Sequence, residues 1–485
     1  MSDQVRKLAP VELWNHFADF NAVPRPSKKE ERVIAFMRSF GEQLGFPTMV
    51  DEVGNVIIRK PATKGMEHHT TVILQSHLDM VHQKNAGTNF DFSSQGIDMY
   101  VDGDWVKAKG TTLGADNGIG VATIMALLAS TDIPHPPLEA LFTIDEETGM
   151  TGALALKGGM LQGKIMLNLD TEEDNELIIG CAGGIDVTGV GTYEQVSPSG
   201  EEAFRLTVNG LTGGHSGGDI HKGRGNANKL MNRLLYLLDR EVEIEIASVD
   251  GGGLRNAIPR ESVSEVVVSS SKIDKFRELI RKFSDITVEE FATTDPNLKV
   301  SFEPCAVPST VMGKEFQTTF LRGTYACPNG IYRMSPEIEG LVQTSNNLAR
   351  VIVKEGEFSL QCLSRSSVDS EKDDLVQSIS SAFELAGAQI SLKGAYPGWK
   401  PRPEAPIVAV MADLYKELFK ESPHVSAVHA GLECGILGRN YPDVQMISFG
   451  PNIYGAHSPD ERVQISSVQK FWSFFLETLK RIPTN

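Results

Sequence analysis

Acids and imidazoles suited to holding metal ions recur at five places along this chain. SHLDM supplies His77 and Asp79, GADNG supplies Asp116, IDEETG supplies Glu146 and Glu147, NLDTEE supplies Asp170, and GAHSPDE supplies His457. Taken singly, an HxD or an EE pair is ordinary solvated loop. Together they offer mixed nitrogen and oxygen donors and no thiolate, a set that suits Zn²⁺, Mn²⁺ or Co²⁺. Two His and three carboxylates give each of two ions three protein contacts if one carboxylate bridges. One position per ion is then left for a shared water, which is an open, catalytic arrangement.

Most of these segments follow a short apolar run, and the runs dictate how the ligands must be held. GNVIIRK, TVILQSHLDM and LEALFTIDEE read as strands alternating with helical stretches such as IGVATIMALLAS, the pattern of an α/β sheet domain. In an open sheet of this kind, polar groups just beyond the strand ends collect in the ligand crevice. Ser27 and Glu30 stand in capping-box spacing before Val33, Ile34, Met37 and Phe40, which predicts an amphipathic helix. From about 188 to 392 the texture changes to strands such as FRLTVNG and SEVVVSSS with the helical KIDKFRELIRKF, an α+β insert. PIVAVMADLYKELFK and VQMISFG return to the first texture, so residues 1–187 and 393–485 are expected to form one discontinuous domain around the insert 188–392. Whether the insert contains two related halves does not follow from the sequence alone.

With 485 residues, the chain is long enough for two or three domains. The net charge of −17 argues against a broad nucleic-acid or anionic-membrane surface, because both need clustered Lys and Arg. Its five Cys are scattered and never form a C-x-x-C pair, so no disulfide framework or thiolate metal site is suggested and a reducing compartment is expected. The first residues, MSDQVRKLAPVELWNHF, lack the apolar core of a signal peptide, and no run approaches a membrane span; the expected location is the cytoplasm.

The series SHLDM, GADNG, DEETG, NLD and HSPDE resembles that of the co-catalytic zinc dipeptidases, carboxypeptidases and aminoacylases. The longer words GTTLGADNGIG, GCAGGID, GGHSGGDIH, LRNAIPRE, KGAYPGWKP and HAGLECG are similar to the peptidase D group of aminoacyl-histidine or non-specific dipeptidases, and they cover nearly the full chain. The resemblance implies a catalytic domain with a central mixed sheet, interrupted by a lid or dimerisation domain, and hydrolysis of Xaa-His and other dipeptides by a zinc-bridged water. It implies Asp116 bridging two zinc ions, with His77 and Asp170 on one and Glu147 and His457 on the other. Glu146 would be the general base, with Asp79 orienting the His77 imidazole. His215, in GGHSGGDIH, would stabilise the oxyanion, and Arg365, in SRSS, would grip the substrate carboxylate with help from Asn256. In HAGLECG, Gly431 would allow close backbone approach and Glu433 would meet an amino terminus. Closure of the insert on substrate is expected, because His215 and Arg365 lie far in sequence from the ligands. The resemblance also implies a homodimer formed through the insert, unless the insert's second half stands in for a partner subunit.

An aminoacylase or carboxypeptidase would share these ligands and differ in pocket shape. Gly214, Ser216 and Gly218 satisfy the G-x-S-x-G pattern of serine hydrolases, but the strand before and helix after that a nucleophile elbow needs are not legible there. His16, His68, His69, His135 and His424 match no motif, and His82, His221 and His429 lie near motifs but read as structural. Met125 reads as helix core.

Overall fold

The computed structural model describes residues 3–484. The chain divides into two compact units, one made of the chain up to Gly180, Trp399–Ala427 and the chain from Leu432 onward, the other of Cys181–Gly398 and Val428–Gly431. The insert thus starts and ends outside the expected limits of 188 and 392. The reason is that strands Gly183–Thr192 and Gln389–Tyr396 pair with each other in the insert's own sheet.

The first unit is built on a mixed eight-stranded sheet. Its order is Thr48–Val50, Val56–Lys60, Leu138–Thr143, Val72–His77, Ile165–Asn168, Gln445–Ser448, Glu176–Cys181 and His424–Val428. The four strands Leu138–Thr143, Val72–His77, Ile165–Asn168 and Gln445–Ser448 run parallel to one another. Every residue of Val72–His77 is buried, as expected for a strand covered on both faces. Burying Val72, Ile73 and Leu74 contributes on the order of 5 kcal/mol, enough to hold a strand that ends in buried polar side chains. A second, four-stranded sheet joins Met99–Asp102, Trp105–Ala108, Arg462–Gln464 and Ile453–Tyr454.

The helix expected after Ser27 spans Glu31–Gln43 and buries Val33 and Met37. Its capping box does not form. Ser27 Oγ donates instead to Asp79, and Glu30 accepts from the Lys28 N–H at 2.8 Å. In a capping box the Ser27 oxygen would accept a backbone N–H, whereas the buried Asp79 carboxylate takes the hydroxyl as a donor, and a hydrogen bond to an ionised acceptor is the stronger of the two.

The second unit carries a largely antiparallel nine-stranded sheet in the order Lys299–Cys305, Glu202–Asn209, Ser262–Val268, Glu245–Gly252, Val342–Lys354, Glu357–Ser366, Gly183–Thr192 and Gln389–Tyr396, with Gly330–Met334 beside Val342–Lys354. This order is two βαββαβ halves meeting through Glu245–Gly252 and Val342–Lys354. The first half is continuous, with helices Ala227–Val242 and Ile273–Glu290. The second begins with Gly183–Thr192 and resumes with helices Lys314–Ala326 and Asp369–Glu384, the first half being inserted within it. Helix Ala227–Val242 shows why the sequence folds this way locally. Asn226 caps it by accepting from the Asn228 and Lys229 N–H groups, and Leu230, Met231, Leu234, Leu235 and Leu238 form one buried stripe. Among the described residues, no helix is long and apolar enough to cross a membrane.

Candidate active site

The parallel strands of the first unit deliver their C-terminal ends to one place. His77 is the last residue of Val72–His77, Glu146 and Glu147 follow Leu138–Thr143, and Asp170 follows Ile165–Asn168. His457 arrives from the loop between Ile453–Tyr454 and Arg462–Gln464, in a left-handed backbone conformation with φ 67°. Asp116 stands at the centre. Its Oδ1 lies 3.2 Å from Nε2 of His77 and its Oδ2 lies 3.3 Å from Nε2 of His457. Asp170 Oδ1 is 3.4 Å from the same His77 nitrogen, and Glu147 Oε2 is 3.0 Å from the same His457 nitrogen. One carboxylate therefore faces two imidazole–carboxylate pairs, one oxygen to each. His77 also groups with Glu146 and Glu147 at metal-ligand spacing. Glu146 and Glu147 open a one-turn helix, Glu146–Gly149, so two adjacent side chains reach this cluster without strand alternation.

Groups behind the cluster fix it in place. Asp79, fully buried, lies 3.3 Å from Nδ1 of His77 and accepts the N–H groups of Glu146 at 3.0 Å and Glu147 at 3.3 Å, with the Ser27 hydroxyl at 2.8 Å. It thus ties the exits of two strands together, a wider task than orienting an imidazole. Asn117 donates to Asp170 Oδ1 and to the Leu169 carbonyl at 2.7 Å. Asn117 lay unremarked inside GADNG.

The electrostatics show a pocket short of positive charge. Burial, reinforced by Asp170, Glu147 and Glu433, raises the Glu146 carboxyl well above the usual range, and burial with Asp116 raises Glu147. Burial with Asp116 and Asp170 pushes Glu172, which sequence reasoning passed over, up to about 9. The hydrogen bonds of His457 to Asp116 and Glu147 push its imidazole up to about 11. Burial opposes charging His77, yet Asp170, Asp116 and Asp79 outweigh it and hold its proton well above the ordinary value. Buried carboxylates that can only share protons with two imidazoles are a donor set in want of cations. Glu147 Oε1 is a buried oxygen without a hydrogen-bond partner, which fits the same reading. These residues suit two divalent ions on either side of Asp116 in ligand type and number.

Glu433 also belongs to the first unit, at the start of helix Glu433–Asn440, and is fully buried. Its Oε2 accepts from Gln75 Nε2 and Thr143 Oγ1, both at 2.6 Å, while Oε1 has no hydrogen-bond partner. Burial pushes its carboxyl up to about 7. Gly431, two residues earlier, groups with the second unit.

In the second unit, Nδ1 of His215 accepts the N–H groups of Gly217 at 3.2 Å and Gly218 at 2.9 Å. This places the imidazole proton on Nε2. Asp219 holds the His215 N–H at 2.8 Å. Arg365, on Glu357–Ser366, is buried, with Nη1 donating to the Tyr396 hydroxyl at 2.9 Å and Nε without a partner. Gly217 lets the His215 loop sit against it: a Cβ there would meet Arg365 Cδ at 3.1 Å and run into the His429 carbonyl. Asn256 has an exposed side chain, and its carbonyl accepts from Ser216 N at 2.8 Å, beside that loop. Burial, with Arg365 and His215 adding, pushes His429 down to about 3, and its Nε2 pairs with Ser345 Oγ at 2.7 Å, so it is a neutral structural imidazole. Ser216 Oγ is buried without a hydrogen-bond partner, and the serine lies in a loop before the short 3₁₀ turn Ile220–Lys222. That is not a nucleophile elbow.

A mixed sheet whose parallel strand ends place one carboxylate between two imidazole–carboxylate pairs is the architecture of a metal-dependent hydrolase. The chain belongs to Peptidase family M20/M25/M40, whose model matches residues 73–481. It is 44% identical over 481 residues to the cytosol non-specific dipeptidase of Escherichia coli (strain K12), covering 99% of each chain. Among solved structures it is similar to the aminoacylhistidine dipeptidase of Vibrio alginolyticus, with a TM-score of 0.93, 44% identity and 100% of both chains covered. The aminopeptidase PepT of Bacillus cereus ATCC 10987, at 15% identity, shares the fold with a TM-score of 0.57 over 98% of this chain and 99% of that one.

Proposed function

We propose that this chain hydrolyses free dipeptides, Xaa-His dipeptides among them, with two divalent cations, zinc first and manganese or cobalt as alternatives, held on either side of Asp116. His77 and Asp170 would hold one ion, Glu147 and His457 the other. The observation that carries this reading is that the two oxygens of Asp116 face different imidazoles, 3.2 Å and 3.3 Å away. The relatives named as dipeptidases, 44% identical over essentially the whole chain, support the substrate class. When bound, the cations would polarise the scissile carbonyl and acidify water.

Glu146 takes a proton from the attacking water and passes it to the leaving amine. In the metal-free chain, burial, with Asp170 and Glu147, raises its proton affinity; cations on either side of Asp116 would oppose that and leave a carboxylate able to accept the proton and then release it. Asp79 keeps His77 and the Glu146 backbone in register. His215 offers its Nε2–H to the developing oxyanion. Arg365 receives the substrate carboxylate, assisted by Asn256, and the unpartnered Glu433 oxygen receives the amino terminus, with Gly431 allowing the backbone to approach. A free dipeptide carries both termini, so a site that grips both rejects longer peptides by length. His215 and Arg365 stand on the second unit, and the requirement that they serve the same substrate as Glu146 is tested by scattering with and without a tight inhibitor. A homodimer in the cytoplasm is the proposed setting, in keeping with the relative named as a cytosol dipeptidase. A monomer by sedimentation would assign the partner's place to the insert's second half.

The test is cleavage of an Xaa-His dipeptide, an N-acetylated amino acid and a tripeptide, before and after chelation and with metal restored. The proposal predicts a metal-restorable preference for the dipeptide. Preference for the acetylated substrate, or activity that survives chelation and is lost in Ser216→Ala, would contradict it.

A further inference from the structure

We infer that Glu461, with Arg25 opposite, is the positioning device that holds Asp116 in its two-sided orientation before any ion arrives; this rests on the reading of Asp116 as the shared ligand. Glu461 lies four residues beyond His457 in the same loop and is 3% exposed. Its Oε2 accepts the N–H groups of Leu113 at 2.6 Å and Gly114 at 2.8 Å, and its Oε1 accepts those of Ala115 at 2.7 Å and Asp116 at 3.2 Å. These four consecutive amides lead into helix Ala115–Ala129, where Asp116 and Asn117 are not themselves helical, and the start of a helix offers such donors no carbonyl partners. A single buried carboxylate satisfies all four.

The carbonyl side of the same turn is held by Arg25, which is 1% exposed. Its Nη2 donates to the Gly114 carbonyl at 2.6 Å, and its Nη1 to the carbonyls of Asp79 at 2.8 Å and Leu78 at 3.2 Å. Gly114 is required between the two grips: its φ is 68°, and a Cβ would run into Arg25 Nη2. Two side chains that are not ligand candidates thus fasten together the strand exit bearing His77, the turn bearing Asp116 and the loop bearing His457. Neither role follows from HSPDE as a motif, because it depends on which amides the carboxylate meets.

Replacing Glu461 with glutamine keeps the size but leaves one acceptor oxygen for four amides and turns an NH₂ toward the others. Loss of a group that orients metal ligands weakens metal binding by about 10- to 100-fold. The experiment has two parts. In the metal-free wild type, hydrogen exchange across residues 113–116 should be slow, and fast exchange there overturns the inference. Zinc affinity, measured by chelator competition alongside the melting temperature of each metal-free protein, should fall about 10- to 100-fold in Glu461→Gln. Arg25→Lys should show a smaller loss. A lower melting temperature with unchanged zinc affinity would reduce Glu461 to a structural residue and overturn the inference. If Glu461→Gln does not fold, the exchange measurement on the wild type decides. Two zinc ions bound equally well by wild type and variant would break the brace alone, whereas fewer than two in the wild type would break the reading of Asp116 itself.

Discussion

The two flanks of Asp116 each pair an imidazole with a carboxylate, in different surroundings. On one, His77 and Asp170 are 1% and 7% exposed, rise directly from strand ends and are fixed from behind by Asp79 and Asn117. On the other, Glu147 is 3% exposed but His457 is 59% exposed and sits in a loop. The contrast separates two ways of placing a ligand. A sheet fixes a strand-end ligand through its own core, whereas a loop ligand needs a dedicated anchor, here the Glu461 carboxylate. It also predicts that an ion on the His77 flank leaves slowly and one on the His457 flank exchanges readily.

Asp116→Asn strikes both flanks at once and should have the largest effect. Losing the shared anion removes several kcal/mol of charge stabilisation, roughly a thousand-fold or more in kcat/KM, with metal content reduced on both sides; steady-state kinetics and metal analysis check this. Glu146→Gln should lower kcat by about 10²- to 10⁴-fold while leaving metal content intact, since it removes the proton carrier and no ligand of either flank. Asp79→Asn should weaken metal binding by about 10- to 100-fold, with the His77 flank losing its ion first, which chelator-driven release followed in time would resolve. The smallest effect concerns pH. In the metal-free chain the His457 imidazole is raised from 6.5 to about 11, so its pairing with Asp116 and Glu147 stabilises the fold fully below pH 6.5 and is lost as pH rises toward 11. Metal-free wild type should therefore lose a few degrees of melting temperature more than His457→Asn between pH 7 and pH 10. Equal slopes would mean that this flank contributes nothing to the fold.

The buried flank was largely legible in the sequence, and the exposed flank's support was not. His77 and Asp170 each follow an apolar run that reads as a strand, as does Glu147 of the other flank, and parallel strands must bring their ends together, so the gathering of these three follows from periodicity. His457 was legible by its motif, but the loop that carries it and the carboxylate that anchors the loop were not. A residue that binds backbone amides has no partner residue type to betray it, and Glu461 meets amides some 346 positions away. Ser27 misled because the capping box gives its oxygen a local N–H to accept, whereas the hydroxyl donates to Asp79, 52 positions away. The two halves of the insert stayed hidden because the first interrupts the second, which separates Gly183–Thr192 from the strand it joins, Glu357–Ser366.

The most direct test of the account is X-ray absorption on the zinc-loaded protein, wild type against Asp116→Asn. Two zinc ions per chain with oxygen and nitrogen ligands are expected, with a metal–metal vector of roughly 3.5–4 Å that disappears in the variant. A single ion per chain, or two ions with no such vector in the wild type, would contradict it.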